Sequence, residues 1–281
     1  MKQKTKFFIA GAVPALLAAG FFVYQGMFAP AKAPSQLEYL PTADTGLALV
    51  PEAVAGVEHS QKKQKTAPGV TLFDFSSETV GAPPATFTAA VGNWIIGSDN
   101  GNKVLVVDGR KWQRGVASAG LADKARALYG KRYAEFLDNV TAYAYYPFAV
   151  ANGVDNFSNG EIEVRFNAIA GRIDQGAGIL FDLKPNGDYY ALRANPLEDN
   201  LVLWRYKHGS RSSVSWVRNV VTPSRKWHTL KLSVRGNLVK GYVNSKQYLS
   251  FRLPADVSGK VGLWTKADSV IYFDDYQVKP Q

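Results

Sequence analysis

The chain contains no cysteine. It therefore has no disulfide framework, thiolate zinc site, iron–sulfur cluster or cysteine nucleophile. The compartment stays open on this count, because an oxidising space permits disulfides without requiring them. Histidine is scarce as well, with only His59, His208 and His228, so a centre built on several imidazoles has few places to form. Acidic residues are missing altogether between 200 and 255. That segment carries eleven cations, among them Arg205, Arg211, Arg218, Lys231, Arg235, Lys240 and Arg252. A field of one sign over such a length favours anionic partners. Long apolar runs are absent except at the N-terminus, so the rest of the chain is expected to be soluble.

The exception reads as an export signal. Lys2, Lys4 and Lys6 precede an uncharged run over 7–28, and Ala29-Pro30-Ala31 places small residues at cleavage spacing. The run is almost long enough to span a bilayer, although Pro14 and several glycines interrupt it. Residues 1–31 are thus expected to be a signal peptide, cleaved after Ala31, or else an uncleaved membrane anchor. The location that follows is periplasmic or extracellular, with contact to the membrane only through an uncleaved N-terminus. Residues 32–70 are rich in Ala, Pro, Ser, Thr and Lys without sustained periodicity and read as a flexible tether.

From 71 to 281 the pattern is that of one β domain. Asn186-Gly187 lies between apolar runs at 176–183 and 189–193, a strong hairpin signal. A second hairpin is predicted from 201–206 and 214–221, joined by a polar turn over 208–213. Further strands are predicted at 160–166, 227–234, 238–244, 260–264 and 269–278. One stretch departs from period 2: Leu121, Ala125, Leu128, Tyr129 and Phe136 recur at helical spacing, which predicts a helix inserted over about 121–137. Gly130 within it costs about 1 kcal/mol relative to alanine.

Several motifs carry a family resemblance. They are Gly171-Arg172-Ile173-Asp174-Gln175-Gly176-Ala177-Gly178, Asp188-Tyr189-Tyr190-Ala191-Leu192-Arg193-Ala194-Asn195, Trp227-His228-Thr229-Leu230, and the run from Gly259 through Trp264 to Tyr272-Phe273-Asp274-Asp275. On these the chain resembles exported bacterial domains of the concanavalin A-like lectin/glucanase (laminin-G-like) superfamily, close to the 3-keto-disaccharide hydrolase type. The resemblance implies an all-β jelly-roll sandwich, a fold that hosts lectins, glycosidases and interaction modules alike. For the hydrolase type it also implies a metal held by acidic and histidine side chains, and the matching residues assemble no such cluster.

Glu161-Ile162-Glu163-Val164-Arg165 is superficially similar to the E-x-D-x-E strand of laminarinase-type glycosidases in this superfamily. A retaining mechanism needs two carboxyl groups. Arg165 occupies the acid/base position and stays protonated, so the expectation is an ordinary strand with Ile162, Val164 and Phe166 inward. His228 is expected to be a core or sheet-edge residue, on one face with Leu230, Leu232 and Val234.

The candidate ligand-binding residues are aromatic and cationic: Trp204, Arg211, Trp216, Trp227, Lys231 and Arg235 within the acid-free segment, with Arg193 and Asn195 projecting from one face beside it. Aromatic planes stack on sugars, and Arg grips carboxylate or sulfate with paired hydrogen bonds. Asp74, Asp274 and Asp275 fall in the first and last strands, which pair in many jelly rolls, and offer hard oxygen ligands for a structural Ca²⁺. No other cofactor is implied. The expected function is an exported, lectin-like module for polysaccharide, an anionic one in particular. The alternatives are a sugar-active hydrolase or lyase of the 3-keto-disaccharide type and a structural envelope adaptor docking through the helix. No nucleic-acid motif is present.

Overall fold

The computed structural model describes residues 69–111, 121–133, 136, 146–208 and 210–281. The export segment and nearly all of the tether lie outside them. Among the described residues no helix is long and apolar enough to cross a membrane. In chain order the strands are β1 (Thr71–Phe73), β2 (Phe87–Val91), β3 (Trp94–Asp99), β4 (Asn102–Asp108), β5 (Phe148–Ala151), β6 (Gly160–Ala170), β7 (Ala177–Leu183), β8 (Tyr189–Asn195), β9 (Asn200–Lys207), β10 (Ser210–Arg218), β11 (Trp227–Arg235), β12 (Leu238–Val243), β13 (Lys246–Arg252), β14 (Lys260–Trp264) and β15 (Val270–Pro280). An α-helix, α1 (Leu121–Tyr129), is inserted between β4 and β5.

The strands form two antiparallel sheets packed face to face, a jelly-roll β-sandwich. Sheet I runs β13-β12-β11-β6-β15-β4-β3, with β1 added beside β15, and sheet II runs β10-β9-β8-β7-β14-β5-β2. Between them lies the main core, which includes Trp94, Ile162, Val164, Phe166, Ile179, Phe181, Leu192, Leu203, Leu230, Leu232 and Phe273. The alternation expected for 160–166 holds: Ile162, Val164 and Phe166 are buried, and Glu161, Glu163 and Arg165 are only half-buried on the other face. His228 is buried with Leu230, Leu232 and Val234 as expected. Its Nε2 lies 3.0 Å from the Pro223 carbonyl and its Nδ1 3.1 Å from the Asn244 amide.

Three features differ from the sequence expectation, each for a local reason. The β9–β10 turn is short and β10 starts at Ser210, because His208 adopts φ +47° and closes a tight turn. The later part of the apolar run is accommodated by a bulge between Ser213 and Ser215. The helix expected over 121–137 ends at Tyr129; Gly130 takes φ +54° and a 3-10 turn follows over Gly130–Arg132. Left-handed backbone is where glycine is favoured and an α-helix stops. Tyr133 and Phe136 are helical again, and residues 134, 135 and 137 lie outside the described residues.

A second apolar layer covers the outer face of sheet II. Ala125 of α1 and Phe136 pack there with Phe148, Leu180, Tyr189, Val202, Trp204, Tyr206 and Trp264. Strands β7 and β9 are buried along nearly their whole length for this reason, as strands with both faces covered are. In sheet I, β11 instead alternates buried and half-buried residues because one face meets solvent.

Candidate functional site on the outer face of sheet II

The residues singled out in the sequence fall on opposite sides of the sandwich. Arg193, Asn195, Trp204, Arg211 and Trp216 lie on the outer face of sheet II, whereas Trp227, Lys231 and Arg235 lie on the outer face of sheet I. The acid-free segment crosses from one sheet to the other between β10 and β11, so a single site through 200–255 does not exist.

On sheet II, register brings the side chains together. Arg211 is opposite Tyr206, Ser213 opposite Trp204, and Trp216 opposite Val202. Trp204 and Trp216 meet edge to face at 5.6 Å, and the Arg211 guanidinium lies 4.3 Å from the Trp204 ring and 5.0 Å from Tyr146. Tyr206 stacks on Tyr189 at 4.3 Å, and Tyr146 on Trp264 at 5.9 Å. Trp204 is only 8% exposed, while Trp216 is 45% exposed and Arg211 is open to solvent. The floor under these rings depends on two glycines in β7 and the approach to it. A Cβ at Gly178 would come within 3.0 Å of Trp264, and one at Gly176 within 2.8 Å of the Asp174 carboxylate and 3.1 Å of Arg193.

At one end of this face is a buried charged network. Arg193, 1% exposed, donates through both terminal nitrogens to Glu198 Oε2 at 3.1 Å and to Asn200 Oδ1 at 3.2 Å. Burial works against ionised Glu198, but the Asn200 amide and Arg193 overcome it and hold the carboxyl below its usual range. Asp174 is fully buried; it accepts from Lys266 Nζ at 2.8 Å, from the Gly176 N–H at 2.8 Å and from the Asn195 amide at 3.3 Å. Asp268 accepts the backbone N–H groups of Arg172, Ile173 and Asp174, which outweigh its burial and lower its pKa. Arg193 and Asn195 are thus fixed from behind by loop residues.

Three donors in this layer have no acceptor among the described residues: the indole N–H groups of Trp204 and Trp264 and the Nε–H of Arg193. Each buried donor left unpaired costs about 1–3 kcal/mol. Sequence reasoning missed Tyr146, Trp264, Asp174 and Lys266 as members of the cluster. The available signal was Gly176-Ala177-Gly178, where alternate glycines on one face make room for large side chains lying across the strand.

The outer face of sheet I is a different surface. Trp227 donates its indole N–H to Asp99 at 3.0 Å and lies under Arg165 at 4.8 Å. Lys231 is 3.3 Å from Glu161 and 4.6 Å from the Tyr242 ring, and Glu163 accepts from Gln277 at 3.0 Å. Glu161 of β6 therefore neutralises one cation of the segment that has no acid of its own, and Asp99 of β3 accepts from its Trp227.

The expected pairing of first and last strands is present, with Phe73 opposite Tyr276, but the calcium expected at Asp74, Asp274 and Asp275 has no fitting cage. Among the described residues no group of three or more His, Asp or Glu side chains is placed to hold a metal. Asp74 turns back to Ser76. Asp274 and Asp275 share Arg165, at 3.6 Å and 3.1 Å, and Asp274 also accepts from Asn102 at 2.8 Å. The cause is a bulge at the point where β15 exchanges β4 for β1 as its neighbour: Asp275 adopts φ +49°, so two consecutive carboxylates reach one guanidinium. Burial, and secondarily Asp275, push Asp274 up to about 6.

No family model matches the chain, and no curated protein matches it in sequence. Among solved structures it is similar to the carbohydrate-binding module CBM66 from Bacillus subtilis, at 13% identity and a TM-score of 0.49 over 71% of this chain and 99% of that one. It is also similar to the Crh5 transglycosylase, at 11% identity and 0.47 over 75% and 84%. A β-glucanase from Bacillus licheniformis matches at 13% identity and 0.36 over 48% and 71%. These likenesses assign this chain no ligand.

Proposed function

We propose that the domain is a glycan-binding module, suited to acidic polysaccharide, whose site is the outer face of sheet II around Trp216 and Arg211. The observation that carries this reading is the exposed Trp216 meeting Trp204 edge to face, with the solvent-open Arg211 guanidinium 4.3 Å from the Trp204 ring. Trp216 offers a plane for the apolar face of a sugar ring, and Arg211 and Arg218 on β10 offer charge-assisted bonds to a carboxylate or sulfate.

A glycan array at low and high salt tests this reading. The expected result is retention of acidic glycans that weakens as salt rises, with loss in a Trp216→Ala/Arg211→Ala double variant that keeps its thermal melt. Absence of any retained glycan at low salt, or retention unchanged by the double substitution, overturns it.

The location that goes with this function is outside the cytoplasm, in the periplasm or beyond. The N-terminal segment is either removed or retained as an anchor. Cell fractionation with N-terminal sequencing of the mature chain checks this: a start at Lys32 supports a cleaved signal, an intact N-terminus in the membrane fraction supports an anchor, and a cytoplasmic full-length chain refutes export.

A further inference from the structure

The outer face of sheet I holds a second feature that the sheet II site does not use. At the ends of β11, β12 and β13, Lys240 is opposite Ser233 on one side and Ser250 on the other, and Leu238 is opposite both Arg235 and Arg252. Paired residues of an antiparallel ladder project from the same face. Arg235, Lys240 and Arg252 therefore converge from three adjacent strands. Ser233, Arg235, Leu238, Lys240 and Gln281 line a depression of about 290 Å³.

The charge around this depression is unbalanced. Arg235, Lys240 and Arg252 form no ion pair among the described residues. The nearest carboxylate along the row, Glu161 opposite Ser233, is engaged by Lys231 at 3.3 Å. Lys279, opposite Glu161 on β15, adds another cation to that row. Asp256 approaches only the turn, beside Gly236. The hairpin itself is held firmly: the Gly236 N–H donates to Asn159 at 2.7 Å, and Asn237 donates to the Leu253 carbonyl at 2.9 Å. Arg235 and Lys240, neither in an ion pair among the described residues, line this concavity beside a braced turn, with the Ser233 hydroxyl between them and Arg252 next to it, and such a field attracts an anion.

We infer that this depression is an oxyanion-binding site, separate from the sheet II face, that takes a sulfate or carboxylate group either free or borne on a sugar. Arg235 supplies a planar donor, Lys240 a point charge and Ser233 a hydroxyl donor, and Arg252, outside the lining, adds to the positive field. The inference stands independently of the glycan site on sheet II. If both hold, the domain presents anion-binding surfaces on opposite faces and can bridge two polymer strands.

The test is a two-dimensional amide and indole NMR titration of the full chain. The probes are sodium sulfate and oligogalacturonate, with sodium chloride at matched ionic strength as reference. Saturable shifts at the amides of Ser233, Arg235 and Lys240 are expected with sulfate and not with chloride, and at least a tenfold weakening is expected in Arg235→Glu/Lys240→Glu. Both side chains are at the surface, so an unchanged spectrum elsewhere shows that the variant is folded. Saturation by sulfate alone identifies a free anion as the ligand, and tighter saturation by oligogalacturonate identifies a sugar-borne carboxylate. Equal shifts with chloride overturn the site, as do shifts confined to the Trp204, Trp216 and Trp264 indoles. The last outcome leaves the sheet II reading standing.

Discussion

The two outer faces of the sandwich are built from similar residues put to opposite uses. On sheet II, Trp204, Tyr206, Tyr189 and Trp264 are buried within the second apolar layer, and Arg193 and Asp174 at one end are buried with charged partners. On sheet I, Trp227, Lys231 and Arg165 stay at the solvent and pair loosely with acids from neighbouring strands. The contrast shows that aromatic and cationic content does not by itself define a binding surface. What differs is whether a second layer covers the sheet, because covering turns each polar group from a solvated one into one that must find a partner.

The comparison breaks first at the tryptophans. Trp264→Ala on the covered face is expected to cost about 3–5 kcal/mol in urea unfolding, the range for truncating a buried aromatic. Trp227→Ala on the open face is expected to cost less than half of that. Equal costs would mean that the second layer contributes no packing.

Ion pairs give the next largest contrast. Asp174→Ala leaves the Lys266 ammonium without its partner in a buried setting, and a loss of about 3 kcal/mol is expected. On sheet I, Glu161→Ala removes a half-exposed partner of Lys231 and is expected to cost under about 1 kcal/mol.

Titration separates the faces by sign. Asp274 on sheet I has a native pKa of about 6, above its usual 3.8. The native state therefore binds more protons than the unfolded state between these values, and stability falls as pH rises through that window. Asp274→Asn is expected to flatten the decline between pH 4.5 and 7, a difference of at most about 3 kcal/mol. Glu198 and Asp268 on sheet II are lowered instead. Their contribution is full above the usual carboxylate range and is lost as pH falls below it. Chemical denaturation across pH on the wild type, Asp274→Asn and Glu198→Gln checks both directions.

Much of the fold is legible in the order of the residues alone. The strand at 160–166 alternates because only its inner face meets the core, and the Asn186-Gly187 turn fixes the hairpin it joins. Sheets with one wet face and one dry face write themselves as period 2. The candidate site is less legible. Residue type and spacing single out Arg193, Trp204, Arg211 and Trp216, which do meet, but the same grounds single out Trp227, Lys231 and Arg235, which stand on the opposite face. Trp264 and Asp174, which complete the cluster, come from strands and loops far along the chain.

Local periodicity and composition are enough to specify the β class, the inward set of each strand, the core position of His228 and the absence of cysteine chemistry. The packing of the sandwich is what assigns each cationic strand to its sheet and brings Glu161 of β6 to Lys231 of the acid-free segment. It also leaves particular donors buried without an acceptor. Those outcomes depend on contacts between strands distant in sequence, where the side chains that face one another leave no periodic trace in either strand alone.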